Sequence, residues 1–99
     1  MSKRTPDPPP WSEAVAYVYI VECRDGTFYT GWAKDVAARV RVHNAGRGAR
    51  YTRARRPVQL RYWEVCSDRA AAMRRELQIK RLSRARKRAL IESLEQEET

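Results

Sequence analysis

The side chains in this chain that could do chemistry are tyrosine, arginine, glutamate, lysine and a single histidine, His43. Hydrolysis of a phosphodiester needs a base to activate water, a cation beside the non-bridging oxygens and an acidic ligand for a divalent ion. These residue types can supply all three, and glutamate is a hard oxygen ligand suited to Mg²⁺. The polar residues therefore fit phosphodiester hydrolysis with a single metal.

Other enzyme classes lack their motifs in this sequence. One histidine and two cysteines are too few for a Cys/His or thiolate-rich zinc site. No glycine loop is followed by Lys-Ser or Lys-Thr, as phosphate-cradling loops require. No serine stands in the nucleophile-elbow context of a Ser-His-Asp hydrolase.

The charge of the chain indicates a polyanionic partner. Lys and Arg number 21 against 12 Asp and Glu, for a formal net charge of +9. Between residues 24 and 88, 19 basic residues stand against five acidic ones, a net of +14. Nucleic acid is the commonest such partner, and arginine suits phosphate because its guanidinium donates two parallel hydrogen bonds. The alternative is a solubilising surface on an arginine-rich protein.

The sequence also indicates where the protein acts. No apolar run approaches the roughly 20 residues of a membrane span, and the N-terminus lacks the apolar core of a signal peptide. Cys23 and Cys66 both lie in strand-like runs, which predicts buried small hydrophobes rather than a disulfide framework. We therefore expect a cytoplasmic protein with reduced thiols and no membrane contact.

The elements that must position these residues begin with a hairpin. Residues 1–13 are rich in proline and are predicted to be a disordered lead. Residues 14–23 form an apolar run rich in β-branched and aromatic side chains, which predicts a strand covered on both faces. Asp25-Gly26 predicts a type I′ turn, and residues 28–32 then form the returning strand.

A helix is predicted next, with Asp35 as its N-cap. Arg39 and His43 are four residues apart and share one face of this helix. Residues 46–57 are rich in arginine and show no hydrophobic periodicity, which predicts a basic loop. In residues 58–66 apolar and polar side chains partly alternate, which predicts a third strand.

Two more helices complete the chain. The second is predicted from residue 67 or 68 through about residue 82, with Ala70, Met73 and Leu77 on its inward side. Glu76 and Lys80 are four residues apart on an adjacent side.

The third helix is predicted to begin at Ser83 and to end in an acidic tail, residues 95–99. The order β-β-α-β-α-α predicts one α+β domain over residues 14–94, with a small three-stranded antiparallel sheet flanked by helices.

Tyr17-Val18-Tyr19, followed after nine residues by Tyr29-Thr30-Gly31, resembles the paired motif of the GIY-YIG nuclease superfamily. Tyr17 stands where the motif name has glycine. Three further blocks, residues 43–52, 55–60 and 74–87, resemble the small stand-alone bacterial single-domain subfamily, so the likeness covers roughly residues 15–92. The resemblance implies the GIY-YIG fold and a nuclease.

The resemblance also implies roles for individual residues. Tyr19 and Tyr29 match the two motif tyrosines, which lie side by side in the family. Tyr19 would activate water or relay its proton with help from His43, and a neighbouring metal and arginines would favour its phenolate. Arg39 matches the catalytic arginine that binds the scissile phosphate.

Glu76 matches the family's metal-binding glutamate, for Mg²⁺ or Mn²⁺. Lys80, one turn further, would contact phosphate or the leaving group. We find no counterpart of the asparagine that larger members carry near the end of the domain.

The remaining basic residues predict a surface that contacts the phosphate backbone rather than reading bases. These predicted nucleic-acid contacts are Lys34, Arg47, Arg50, Arg53, Arg55, Arg56 and Lys80. Tyr51 and Trp32 would either stack on unpaired bases or pack in the core.

The expected partner is DNA, cut with structure or strand selectivity by a monomer or weak dimer, with a repair or recombination role implied by the resemblance. Two alternatives stay open. One is a weakly catalytic or non-catalytic module that binds DNA or RNA on the same fold. The other is a basic accessory protein that binds an acidic protein face. In that case Tyr19 and Tyr29 would be cross-strand core aromatics, and Glu76 with Lys80 an ordinary helix pair.

Overall fold

A computed structural model describes residues 16–97, so the predicted proline-rich lead and residues 98 and 99 lie outside the described residues. Residues 16–97 form three strands and four helices. In order these are β1 (Ala16–Glu22), β2 (Phe28–Ala33), α1 (Val36–Asn44), α2 (Arg50–Arg53), β3 (Gln59–Cys66), α3 (Arg69–Lys80) and α4 (Arg84–Glu97). The predicted α+β order is confirmed, and the structure adds a single-turn helix, α2, inside the segment predicted as a loop.

The three strands form one antiparallel sheet in the order β2-β1-β3. The central strand β1 is buried from Ala16 to Val21, as its nearly continuous apolar sequence predicts. Tyr19 pairs with Gly31 and Val21 pairs with Tyr29 across the β1–β2 ladder. Because paired residues project from the same face, both motif tyrosines lie on one face of the sheet.

The sheet separates two apolar layers. On one face, Val18 and Ile20 pack with Ile79 of α3 and Ile91 of α4. The other face carries the tyrosines, and its buried cluster includes the α1 residue Val36 and the residue before β3, Val58; its members are Tyr17, Tyr19, Val21, Cys23, Val36 and Val58. The α3 and α4 helices thus pack on one face of the sheet, and α1 with the α1–β3 connection packs on the face that carries the tyrosines.

The β1–β2 hairpin is present, but the predicted type I′ turn is wrong. That turn needs positive φ at both central residues, whereas only Gly26 has positive φ here (+84°) and no non-glycine residue does. The loop is longer: the Cys23 amide donates to the Thr27 carbonyl at 2.8 Å. Asp25 stabilises it by accepting from the Thr27 amide at 3.1 Å and the Thr27 hydroxyl at 2.6 Å.

Both helix N-caps follow the sequence prediction. Asp35 accepts a hydrogen bond from the Ala38 amide at 3.0 Å, and Asp68 accepts one from the Ala71 amide at 2.8 Å. Each carboxylate satisfies an amide that has no partner within its helix.

The predicted inward side of α3 is wrong. Met73 and Leu77 are 48% and 53% exposed, and Ala70 is also exposed. The buried residues of this helix are Ala72 and Ile79. Because the helix is rotated relative to the apolar stripe of its sequence, it turns Glu76 towards the protein, leaving that side chain only 19% exposed.

Residues 95–97, predicted to be part of an acidic tail, continue α4 in the structure. The Glu95 carboxylate accepts a hydrogen bond from the Arg61 guanidinium at 3.2 Å, which ties this helix to β3. Among the helices of residues 16–97, none combines the length and apolarity needed to cross a membrane.

Both cysteines carry free thiols. Cys23 is buried, as predicted, whereas Cys66 at the end of β3 is only half-buried. Burial raises the pKa of each thiol, so neither is an activated nucleophile.

Candidate active site

The centre of the candidate site is the phenol of Tyr19. Tyr19 faces Gly31 on the neighbouring edge strand, and a Cβ added at Gly31 would lie 2.6 Å from the Tyr19 hydroxyl oxygen. The ring therefore lies across β2 over a residue that has no side chain. The glycine of the second motif is needed because it allows this close approach.

A chain of three hydrogen bonds runs from the phenol into the α1–β3 connection. The Tyr19 hydroxyl lies 2.8 Å from Nε2 of His43, and Nδ1 of His43 lies 2.9 Å from the Thr52 hydroxyl. That hydroxyl donates its only proton to the Ala49 carbonyl at 2.9 Å. It must therefore accept from Nδ1–H, which leaves the Nε2 lone pair to accept from Tyr19.

The members of this chain are shielded from water. Tyr19 is 1% exposed, and His43 and Thr52 are 0% exposed. Burial, aided by the Arg39 charge, lowers the pKa of His43 below its ordinary 6.5. A neutral imidazole at physiological pH agrees with the tautomer that the hydrogen bonds require.

Gly48 packs directly against the histidine. A Cβ placed there would lie 2.2 Å from Nδ1 and 2.9 Å from Cα of His43. Because the second of these atoms is backbone, a side-chain rotation cannot relieve the clash.

Replacing Gly48 with alanine should therefore destabilise the fold and displace His43. We expect a loss of about 1–3 kcal/mol in the free energy of unfolding, typical of overpacking, measured by urea denaturation. The comparison variant is Ala49→Gly at the next position, whose backbone is extended and whose change removes a methyl group instead of adding one. A Gly48→Ala protein as stable as wild type would contradict the packing described here.

Tyr29 lies beside this hydrogen-bonded chain. Its ring meets the His43 ring edge-on at a centroid distance of 5.4 Å and stacks on Tyr51 at 6.1 Å. The Arg55 guanidinium lies 3.9 Å from the Tyr51 ring centre. Tyr29 is half-buried, so its phenol is more accessible to a substrate than that of Tyr19.

Arg39 and Glu76 complete the cluster around Tyr19. Burial, and to a smaller extent the Tyr29 phenol and the Glu76 carboxylate, raise the pKa of Tyr19 to about 12 against the lowering effect of Arg39. Arg39 is exposed on α1. Glu76 lies on α3, whose buried Ile79 packs on the other face of the sheet. The structure thus brings Tyr19, Tyr29 and His43 into direct contact, and Arg39 and Glu76 act on Tyr19 through their charges.

The direction of the Tyr19 shift differs from the sequence expectation. Arginine beside the phenol does favour the phenolate, but burial outweighs it and keeps Tyr19 protonated. With a pKa of about 12, forming a free phenolate at pH 7 would cost about 7 kcal/mol. A phenol that passes its proton to His43 as it accepts another avoids that cost.

Glu76 fits a magnesium or manganese ion of the kind bound mainly by water and substrate phosphate. Its carboxylate is mostly shielded and lies 3.6 Å from the Lys80 ammonium. Within residues 16–97 no three His, Cys, Asp or Glu side chains gather as a metal cage. One carboxylate is nevertheless the protein contribution common in Mg²⁺ sites that hold substrate phosphates.

The predicted nucleic-acid contacts divide into two groups. Arg55 and Arg56 make internal bonds: Arg55 donates to Asp25 at 3.1 Å, and Arg56 donates to the Arg53 carbonyl at 2.9 Å. Four of the rest are exposed and make no ion pair within the described residues, namely Lys34, Arg47, Arg50 and Arg53, whereas Lys80 is exposed and pairs with Glu76. Arg55 and Arg56 therefore stabilise the segment that carries Thr52, a role that the sequence pattern did not reveal.

Three aromatic residues left open by the sequence have protein partners. Tyr17 is 2% exposed and meets Trp63 edge-on at 6.0 Å, so the tyrosine that replaces the motif glycine is a core residue. Trp32 packs against the core beside α3. Tyr51 keeps 36% of its surface exposed while contacting Tyr29.

Sequence reasoning missed Thr52 and the role of Gly48. Thr52 stands inside an arginine-rich segment whose charge masks it, and its function depends on a contact with a residue nine positions away. The only available signal was its place in the block of residues 43–52 that resembles the subfamily.

Known proteins resemble this chain over most of its length. Residues 15–89 match the family of the GIY-YIG catalytic domain. A UPF0213 protein of Halobacterium salinarum is 58% identical over 74 residues, which covers 75% of this chain and 96% of that protein. A UPF0213 protein of Staphylococcus haemolyticus is 54% identical over 76 residues, covering 77% and 93%.

The solution NMR structure of the UPF0213 protein BH0048 from Bacillus halodurans has a similar fold. It superposes with a TM-score of 0.51 at 44% sequence identity, covering 79% of this chain and 83% of that one. The matched region of residues 15–89 contains all five clustered side chains and Thr52.

Proposed function

This chain belongs to the GIY-YIG family, and we propose that it is a metal-dependent endonuclease that hydrolyses phosphodiester bonds of DNA. It selects its substrate by structure or strand rather than by base sequence, since its basic residues are placed to meet phosphates. A role in DNA repair or recombination rests on the family alone.

One observation carries the proposal: the buried hydrogen-bonded chain from Tyr19 through His43 to Thr52. The tautomer that these bonds select aims a basic lone pair at a phenol. Arg39 and Glu76 lie close enough to that phenol for their charges to act on it. A protein that only binds nucleic acid needs no such oriented chain, whereas water activation does.

The reaction follows from these positions. Arg39 binds the non-bridging oxygens of the scissile phosphate and stabilises their growing charge. The attacking water forms its bond to phosphorus while its proton passes to the Tyr19 oxygen, and the phenol proton passes to Nε2 of His43. The phosphorus–oxygen bond to the leaving group then breaks, the leaving oxygen takes up a proton from bulk water, and His43 returns its extra proton to solvent. Lys80, which pairs with Glu76 at 3.6 Å, would contact the phosphate or the leaving oxygen.

A divalent ion at Glu76 would supply positive charge beside the phosphate and the leaving oxygen. Glu76 is the residue that would hold this ion. It can do so because α3 directs it inward while exposing Met73 and Leu77.

The proposal is tested with the full chain and three DNA substrates: supercoiled plasmid, a single-stranded oligonucleotide and a branched duplex. Each is incubated with Mg²⁺, with Mn²⁺ and with EDTA. Cleavage that needs the metal, and that differs among the substrates, supports the function. Salt-sensitive binding without turnover on any substrate would instead identify a binding module.

Thr52 should control the rate through His43. Thr52→Val removes the acceptor of Nδ1–H at nearly constant volume, so the imidazole can adopt the wrong tautomer. We expect kcat to fall by about 10- to 100-fold, the cost typical of losing the hydrogen bond that orients a metal-ligating histidine. Thr52→Ser keeps the hydroxyl and should keep most of the activity.

Two measurements distinguish this effect from unfolding. The ¹⁵N chemical shifts of His43 should report Nδ1–H in wild type and in Thr52→Ser, and a mixture in Thr52→Val. Wild-type activity should fall with decreasing pH only below 6.5, since burial lowers the His43 pKa and activity is lost where the imidazole gains a proton. An unchanged tautomer and rate in Thr52→Val would remove Thr52 from the mechanism.

A further inference from the structure

The hairpin turn and the start of α4 form a cleft that the proposed reaction does not use. It is lined by Thr27 and Phe28 of the hairpin and by Arg84 and Lys87 of α4, and we refer to these four residues as the α4 cleft. Arg84 holds its two sides together by donating to the Gly26 carbonyl at 2.7 Å. The cleft is therefore a built feature that joins α4 to the β1–β2 turn.

Phe28 forms the apolar part of the cleft and is covered by two cations. The guanidinium carbons of Arg84 and Arg88 lie 4.8 Å and 5.5 Å from its ring centre. Each guanidinium is attracted to the face of the ring, but the two positive charges repel each other. An anion between them would relieve that repulsion.

Lys87 adds a third positive charge and links the cleft to the active site. Burial and the neighbouring Lys80 ammonium lower the pKa of Lys87, which shows that these two cations are near each other. Lys80 in turn pairs with Glu76. No ion pair found among residues 16–96 involves Arg84, Lys87 or Arg88. Lys80 thus pairs with Glu76 and interacts with Lys87 of the cleft.

We propose that the α4 cleft binds the backbone phosphates of the DNA strand on one side of the scissile bond. The inference rests on the proposed function and extends it to substrate length. Lys80 is one helical turn, about 6 Å, from Glu76, and Lys87 lies beyond it. Since one strand of B-form DNA carries a phosphate about every 3.4 Å of helix axis, the cleft meets phosphates at least about two nucleotides from the cut.

The test compares two double variants that lose the same charge. Lys87→Gln with Arg88→Gln removes cations of the cleft. Arg74→Gln with Arg86→Gln removes two exposed arginines, one from α3 and one from α4, and neither of them lines the cleft. Arg84 is left in place because its bond to Gly26 is structural.

Binding is measured without metal, in EDTA, by the fluorescence anisotropy of a labelled 20-nucleotide DNA strand over a range of salt concentrations. We expect the cleft variant to bind about tenfold more weakly at 0.1 M salt. Its slope of log affinity against log salt should be smaller by about 1.4, as loss of two phosphate contacts predicts for single strands. The matched variant should bind within about twofold of wild type.

Equal weakening of both double variants would show that only overall charge matters and would overturn the proposal. Wild-type affinity in the cleft variant would also overturn it. Neither result depends on cleavage, so failure of the cleft can be told apart from failure of the nuclease function, which appears as absent turnover in wild type with Mg²⁺.

Cleavage gives an independent reading of substrate length. On a long strand the cleft variant should raise KM and leave kcat nearly unchanged, because the lost contacts are remote from the reacting phosphate. On substrates shortened until fewer than two nucleotides flank the cut on that side, wild type and variant should perform alike. A variant that lowers kcat equally on long and short substrates would contradict a remote phosphate site.

Discussion

Glu76→Gln should abolish metal-dependent cleavage while leaving DNA bound. Loss of the carboxylate removes the proposed ligand of the divalent ion, whose charge stabilisation is worth several kcal/mol, so we expect kcat to fall by about 10³-fold or more. The affinity for DNA should be retained or slightly increased, because the substitution removes a negative charge from a basic surface. Steady-state cleavage with Mg²⁺ and binding in EDTA measure the two effects separately.

The fold should survive this substitution. The Glu76–Lys80 pair spans one turn of α3, and the Lys80 side chain is 47% exposed, so its loss costs about 0–1 kcal/mol. Glu92→Gln removes an exposed carboxylate from α4 and is the matched control, with wild-type activity expected. Cutting by Glu76→Gln at the wild-type rate would exclude the metal role of Glu76.

Tyr19→Phe should also remove most of the activity, for a different reason. The ring stays and continues to fill the space over Gly31, but the hydroxyl that connects water to His43 is gone. Proton transfer by a positioned group contributes about 10²- to 10⁴-fold, and we expect a loss in kcat of that size. Metal binding and DNA affinity should change little.

The chain supplies a close control for this substitution. Tyr17 lies two residues earlier on β1, projects from the same face and is equally buried, but its hydroxyl makes no hydrogen bond to the Tyr19–His43–Thr52 chain. Tyr17→Phe should therefore retain activity within about twofold of wild type, whereas Tyr19→Phe should not.

Stability and catalysis can be separated in the same pair of variants. Tyr19→Phe leaves Nε2 of buried His43 without its partner, a cost of about 1–3 kcal/mol in the free energy of unfolding. Thermal denaturation shows at which temperature the variant is still folded, and kcat is compared there. Equal rates for Tyr17→Phe and Tyr19→Phe would refute the proton relay.

Local sequence determined the framework of this protein. The apolar run before Cys23, the Asp25-Gly26 pair and the caps Asp35 and Asp68 all act through neighbours in the chain, and the hairpin and helix starts appear where they predict. The spacing of the two tyrosine motifs also determined their register in the sheet. A hairpin brings residues at equal distances from its turn opposite each other, so Tyr19 pairs with Gly31.

The prediction of the inward side of α3 failed because two different sets of apolar residues on this helix could have packed against the sheet. Met73 and Leu77 are large apolar residues of α3, yet the helix exposes both, buries Ala72 and Ile79 and turns Glu76 inward. Ala72 and Ile79 pack instead with Val18 and Ile20 of the sheet in one buried cluster. Helical periodicity describes one helix at a time and does not contain this choice.

The sequence by itself determined which elements form, in what order, and which residue types are available for phosphodiester chemistry. Tertiary structure alone decided that Tyr19 would be buried with a raised pKa, that Thr52 would select the tautomer of His43, and that Arg55 would bind the protein instead of solvent. The reason is physical: strands and caps depend on contacts a few residues apart, whereas burial, tautomer and charge pairing depend on whichever distant atoms the packed chain brings within about 3 Å.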